Sequence, residues 1–473
     1  MIFTPRAPQV PIIDFGLSRR RGNIFASMGT GKTGSTFYIY DALRMLGEVN
    51  RCLVIAPKRV AASTWPKERD KFDESFGHLK IAAAIGTPEQ RKRAVTSKPD
   101  ILTINYDNIE WLIEGYGDNW PFDMVVADES TRLKGLRIAQ LTSKLGNEFT
   151  RGQGSVRAKA LSTVAHKRVR HWYNLTGSPA PNGLADLWGQ MFFIDAGKRL
   201  GTSFTSFKDR WFRTIPTADG YSAIEPLKHA DPEIKALIRD CCVTIDFADY
   251  FPIDKPIEQT ILVPLPPKAR EVYERMEKEL FAEIAAGVPI QAFNSGGKLQ
   301  KCMQIGNGAV YDAERNWHAL HDAKLDALES VIAEASGAPI IVRYTHIPDM
   351  ERILQRFKRA RKLDNNPRTE TEWNEGRIPI LLTHAASAGH GLNLQDGGNI
   401  LVDYCTDFNL EHDEQIIERI GPTRQFQSNH PRPVYRYRIV AEDTIEEHSA
   451  LPCIRSKTSV QDSLKNAMKI RRG

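Results

Sequence analysis

Short runs of β-branched and aliphatic residues alternate along this chain with longer stretches whose apolar positions recur at helical spacing. That alternation reads as an α/β fold built on parallel sheets. In the first half it predicts strands at Asn23–Ala26, Cys52–Ala56, Ile101–Ile104, Met124–Ala127 and Tyr173–Leu175. A helix is predicted over Ser35–Leu46, stopping at Gly47. The second half predicts strands at Gln259–Val263, Pro339–Arg343, Ile380–Thr383, Ile400–Tyr404 and Val434–Ile439. Its helices are expected over Lys268–Ala286, Lys324–Ala335, Asp349–Phe357 and Glu411–Ile420. Two complete α/β domains follow, residues 1–196 and 259–473. Residues 197–258 are rich in aromatic and charged side chains and lack strand alternation, so a helical connector is expected there.

Composition changes this picture little. The length of 473 residues excludes a lone small module. With 41% hydrophobic and 26% charged residues, wholesale disorder is excluded too. No apolar run approaches the roughly 18 residues of a membrane-spanning helix. The first residues lack the basic-then-apolar design of a secretory leader, so a cytoplasmic location is expected. Six scattered cysteines without a C-x-x-C pair fit neither a disulfide framework nor a zinc ribbon. His318 and His321 could share a helix face as metal ligands do, but nothing completes a site around them. The net charge of +6 permits a nucleic-acid partner without demanding one.

The strongest local signal is Ala26-Ser-Met-Gly-Thr-Gly-Lys-Thr33, between a short apolar strand and a helix. Met28, Gly29, Thr30 and Gly31 give backbone N–H groups that curl around phosphate oxygens at a helix N-terminus. Lys32 reaches the β- and γ-phosphates, and the Thr33 hydroxyl is a magnesium ligand. Ala26 stands where the commonest form of this loop has Gly. Some ninety residues on, Met124-Val-Val-Ala-Asp128-Glu129 is an apolar strand ending in two carboxylates, where an open parallel sheet binds ligands. Asp128 is placed to hold magnesium and Glu129 to deprotonate an attacking water.

Asp-Glu-Ser-Thr-Arg-Leu-Lys134 resembles the acidic motif of Swi/Snf-type ATPases, within helicase superfamily two. Further segments resemble that family in the same order. They are Leu53–Lys58 with Trp65–Glu68, Leu175–Pro179 with Asn182–Leu187, Leu382–Leu394, Asp407–Asn409 with Gln415–Gln425, and Val434–Arg438 with Asp443–Glu446. The compact size is similar to phage- or prokaryote-encoded members. The resemblance implies two tandem RecA-like domains, ATP and Mg²⁺ as cofactors, and DNA as partner, duplex favoured and read without regard to sequence. It implies an ATP-driven translocase; the same motifs would serve a strand-separating helicase, or an ATP-gated clamp with little turnover. Thr176 and Ser178, in the third motif, take the coupling role. Gln9 either reads the adenine edge or belongs to an exposed tail.

Charge and position add nucleic-acid candidates. Pro57, Lys58 and Arg59 end one strand; Asn105 and Tyr106 follow another. The family's backbone contacts fall near Arg343, Tyr344 and Thr345, and near Thr383, Ser387 and Asn393. Two basic runs, within Arg151–Arg170 and Lys358–Lys362, are either contact surfaces or solvated faces. In the sixth motif Gln415, Arg419 and Gln425 fall on the family's positions, but Pro422 stands where the family has its second arginine. The arginine finger is therefore expected at Arg424, with Arg419 as the alternative.

Overall fold

The computed structural model describes the chain except residues 28, 143–147, 178, 181–182, 217–221, 252–253, 286–292, 313, 365, 386–391, 407, 427, 429–430 and 457–473. Two compact units result: Met1–Ile215 with Ile224–Pro252, and Ile253–Gly473 with Pro216–Ala223.

Up to Ile245 the chain forms strands β1 (Arg21–Ala26), β2 (Cys52–Ala56), β3 (Ile81–Ala84), β4 (Ile101–Asn105), β5 (Met124–Asp128), β6 (Leu136–Thr142), β7 (Glu148–Gly154), β8 (His171–Thr176), β9 (Phe212–Pro216), β10 (Ser222–Pro226) and β11 (Cys242–Ile245). Seven of them form one parallel sheet in the order β11-β1-β8-β5-β2-β4-β3. Its central strands read as unbroken apolar runs because helices cover both faces. In β2, Leu53 and Ile55 join Leu102, Val125 and Trp172 in one apolar layer. The intervening Val54 and Ala56 join Val126, Tyr173 and Phe37 in the other.

Residues 197–258 hold the helices Phe204–Trp211 and Ala230–Ile238. The same residues carry the β9–β10 hairpin, and β11 completes the first sheet by pairing in parallel with β1. A four-residue edge strand gives too little alternation to read in advance. The Ile-Ala-Ala-Ala run of β3 escaped for a related reason: alanine carries little strand preference. The antiparallel β6–β7 hairpin, directly after the acid pair, was also unforeseen.

The second unit contributes β12 (Ile257–Val263), β13 (Ala309–Tyr311), β14 (Trp317–Ala319), β15 (Ile340–Tyr344), β16 (Ala360–Lys362), β17 (Ile380–His384), β18 (Ile400–Asp403) and β19 (Tyr435–Ala441). Six are parallel in the order β12-β19-β18-β15-β17-β16. Val342, Leu382 and Val402 face one apolar layer; Ile341, Leu381 and Leu401 face the other. Both expected α/β domains are thus present, each around its own parallel sheet. Among the described residues no helix is long and apolar enough to cross a membrane.

Candidate functional site

The phosphate loop leaves β1 at Ala26 and enters the helix Lys32–Met45. Gly31 caps that helix at φ +84°, and a Cβ there would lie 2.4 Å from Gln9 Nε2. Only glycine fits both the left-handed backbone and the close approach. Lys32 Nζ donates to the carbonyls of Ala26 (2.5 Å) and Ser27 (3.2 Å), and Thr30 Oγ1 donates to Ser27 O (2.7 Å). The ammonium is thus held over the loop by two backbone acceptors. Thr33 sits in the first helical turn.

Gln9 is no exposed tail residue. It is buried, its Nε2 donates to Gly31 O (3.1 Å), and its Oε1 accepts from the Arg6 amide (2.9 Å). Arg6 in turn donates to Gly29 O (3.2 Å). The N-terminal segment therefore braces the loop from outside.

Parallel register places the acid pair in the same neighbourhood. Phe25 of β1 is level with Thr176 of β8, and Asp128 of β5 is level with Leu175. The three strand ends lie side by side, so loop and acids are two strand spacings apart, about 10 Å. Burial pushes the Asp128 carboxyl above its ordinary pKa, opposed by the Trp65 indole N–H, which donates to Oδ2 at 2.9 Å, and by the Lys32 ammonium. Glu129 adopts φ +57°, a strained conformation for a residue with a side chain. Such strain persists only where neighbours over-determine it. Tyr106 supplies part of that restraint: its hydroxyl donates to Asp128 O (2.9 Å) and Glu129 O (3.3 Å).

The Thr33 hydroxyl and the Asp128 carboxylate are hard oxygen donors of the kind magnesium takes. Asp128 is desolvated, with one oxygen fixed by Trp65. Among the described residues no group of three or more His, Cys, Asp or Glu is gathered for a metal ion. The pair therefore suits an ion whose other ligands are phosphate oxygens and water. His318 instead faces Asp312 (2.9 Å), and His321 binds Ile305 O (2.9 Å).

Several of the residues expected to contact nucleic acid are buried. Tyr106 is buried with its hydroxyl spent behind the acid pair. Arg343 has no exposed surface; it faces Asp403 at 2.7 Å and Asp413 at 3.3 Å. Arg436 and Arg438 join the same two aspartates. The physical reason is compensation: a buried guanidinium needs carboxylates, and this one has two within its own unit. Pro57, Asn105, Tyr344 and Thr383 are buried as well. Lys58 and Asn393 are exposed, and Arg59 and Thr345 are half-buried. In the basic runs, Arg157 faces Asp107, Arg168 faces Asp118 and Arg361 faces Glu372. Met28, Ser178 and Ser387 lie outside the described residues.

Asp413 sits on the helix Leu410–Ile420, which also carries Gln415 and Arg419, so the ion cluster pins that helix to its sheet. Arg419 is buried; Arg424, on the short helix Pro422–Phe426, is half-buried. Thr176 is buried at the end of β8.

A family model described as the SNF2-related domain matches residues 17–306, more than half the chain. The chain belongs to the SNF2-related family. This SNF2-related chain is 46% identical to "Putative protein p41" of Acyrthosiphon pisum secondary endosymbiont phage 1, across 99% of both proteins. It is 23% identical to an uncharacterized ATP-dependent helicase of Mycoplasma genitalium over 90% of this chain, and spans 38% of that protein's length. It is also similar to the SWI2/SNF2 ATPase core of Sulfolobus solfataricus solved in complex with dsDNA, at 19% identity, a TM-score of 0.42, and coverage of 98% of this chain and 94% of that one. Two SNF2-unit residues went unnoticed as site residues in the sequence. Trp65 was visible as part of a motif, but nothing pointed its indole at Asp128. Gln190 could have been found as the one amide in an otherwise apolar stretch, Leu187–Ile194.

Proposed function

We propose that this protein is an ATP-driven motor on DNA: an ATPase whose turnover is stimulated by duplex, and which moves along it without reading sequence. The observation that carries the reading is the placement of Lys32 and the Asp128–Glu129 pair at strand ends flanking β8. Family membership supplies the rest, since SNF2-related relatives include proteins named as ATP-dependent helicases.

In this reading Lys32 exchanges the Ala26 and Ser27 carbonyls for the β- and γ-phosphates, and the loop's N–H groups hold the remaining oxygens. Thr33 and Asp128 would hold Mg²⁺, which when bound would supply charge neutralisation for the phosphates. Glu129 takes the proton from the attacking water, oriented by the strained backbone that Tyr106 holds. Lys58 and Arg59 follow β2, where they meet DNA phosphates.

Phosphate release measured without DNA, with single strands and with duplex tests the reading. Duplex is expected to stimulate most. A triplex-displacement assay is expected to succeed where fork unwinding fails. Equal rates with and without DNA would overturn the motor, and unwinding of a fork would make it a strand-separating helicase.

A further inference from the structure

We infer that Gln190, outside every motif considered above, is the positioning residue for Glu129 and ties the acid pair to the loop that follows β8. The inference rests on the ATPase reading.

Every residue of the helix Asp186–Asp195 is buried except Phe192, which is half-buried. Within it Gln190 has no exposed surface, yet every polar atom of its side chain is engaged. Its Oε1 accepts from Ser130 Oγ at 2.8 Å. Its Nε2 donates to Pro179 O at 2.6 Å and to Asp186 O at 3.1 Å. Its backbone carbonyl accepts from Asn174 Nδ2 at 3.0 Å, which anchors it to β8.

Ser130 is the residue after Glu129 and opens the 3-10 turn Ser130–Leu133. The strained Glu129 is therefore held on both sides: Tyr106 grips its carbonyl, and Gln190 grips the next side chain. Gly189 makes the grip possible. A Cβ there would lie 2.6 Å from Leu133 O and 2.9 Å from Lys134 O, so only glycine lets the helix seat on that turn. An apolar side chain at 190 would strip this partner from the buried Ser130 Oγ, a costly state in a dry interior, and from the carbonyl of the half-buried Pro179. One amide thus joins two loops at adjacent strand ends, β5 and β8. Displacement of the Pro179 loop pulls through Gln190 and Ser130 on the backbone that aims the Glu129 carboxylate. Gln190 touches no reacting atom, and it acts through Ser130.

The experiment compares Gln190→Leu, Ser130→Ala and the double variant in the full chain. Each single variant is expected to lower kcat about tenfold or more while KM for ATP moves less than about twofold, because the phosphate loop is untouched. The double variant is expected to be no worse than the worse single one, since both break one link. A KM–kcat split of this kind is not what general loosening of the core produces. Single variants within about twofold of wild type in kcat, or additive effects in the double variant, would overturn the inference. Amide hydrogen exchange gives a second arm that needs no turnover: Gln190→Leu is expected to speed exchange in both Ser130–Leu133 and the segment after Pro179. Faster exchange in only one of them would overturn the link. A wild-type protein without ATP turnover would defeat the ATPase reading alone, and the exchange arm would still decide this one.

Discussion

Lys32 is held through two loop carbonyls, and Glu129 through its own backbone carbonyl. Lys32 Nζ rests on two loop carbonyls, so Lys32→Ala leaves a loop still braced by Gln9 and Thr30. What it removes is the loop's own cation, placed where phosphate charge must be neutralised. ATP turnover is expected to vanish while DNA binding without nucleotide survives; a phosphate-release assay paired with a DNA-binding titration checks both halves. Glu129→Gln keeps the shape and the left-handed backbone but removes the base. Hydrolysis is expected to drop by about 10²–10⁴ with ATP still bound, read by single-turnover kinetics and nucleotide affinity. Normal turnover by Glu129→Gln would move the base to another residue. The aspartate beside it shows why identity alone is a poor guide to environment. Asp128 was legible as a strand-end acid, but its desolvation and its indole partner Trp65 come from residues 63 positions away in the chain.

Elements were legible in proportion to their apolar regularity. Both central sheets were readable because strands buried on two faces carry unbroken aliphatic runs. β3, β11 and the β6–β7 hairpin were not, because alanine content, shortness and weak alternation leave no periodic signal. Roles of individual strand residues were harder still. Arg343 reads as a cation at a strand end, and only the fold shows Asp403 and Asp413 waiting for it. That cluster carries a pH prediction. Burial raises the Asp413 pKa, but Arg436, Arg343 and Arg438 outweigh it and hold the carboxyl well below its ordinary value. A depressed folded-state pKa means stability that is present above the unfolded value, about 3.9, and lost as pH falls through the folded one. Asp413→Asn is expected to cost about 3–5 kcal/mol near neutral pH, by leaving three buried guanidiniums short of a counter-charge. Thermal melts of wild type and Asp413→Asn are expected to differ most near neutrality and to begin converging only as pH falls below about 4. A gap that stays constant from neutrality into strong acid would mean that folding does not shift the Asp413 pKa, which would overturn the prediction.

For the whole molecule, the question is how DNA and the second unit enter the ATPase cycle. The exposed Lys58 and half-buried Arg59 are the cations after β2 that the fold leaves at the surface. If they meet phosphates, log affinity for duplex falls linearly with log salt, and replacing both with Ala flattens the slope by about one to two units. An unchanged slope would place them away from DNA. The second unit's part rests on its arginines. Pro422 stands where the resembled family has its second arginine, so under the proposed function the cation would come from a neighbour. Arg419 is buried on the helix that Asp413 pins, which suits a structural role. Arg424 lies one turn into the short helix that Pro422 opens, and keeps part of its surface. Proline at that first helical position presets the backbone. A finger is typically worth about 10³–10⁵ in rate. Arg424→Ala is therefore expected to cut DNA-stimulated turnover by orders of magnitude with ATP affinity nearly unchanged, while Arg419→Ala is expected first to lower the melting temperature. Stopped-flow phosphate release and thermal melts on the two variants separate the roles. A fully active Arg424→Ala beside a folded but inactive Arg419→Ala would reverse the assignment.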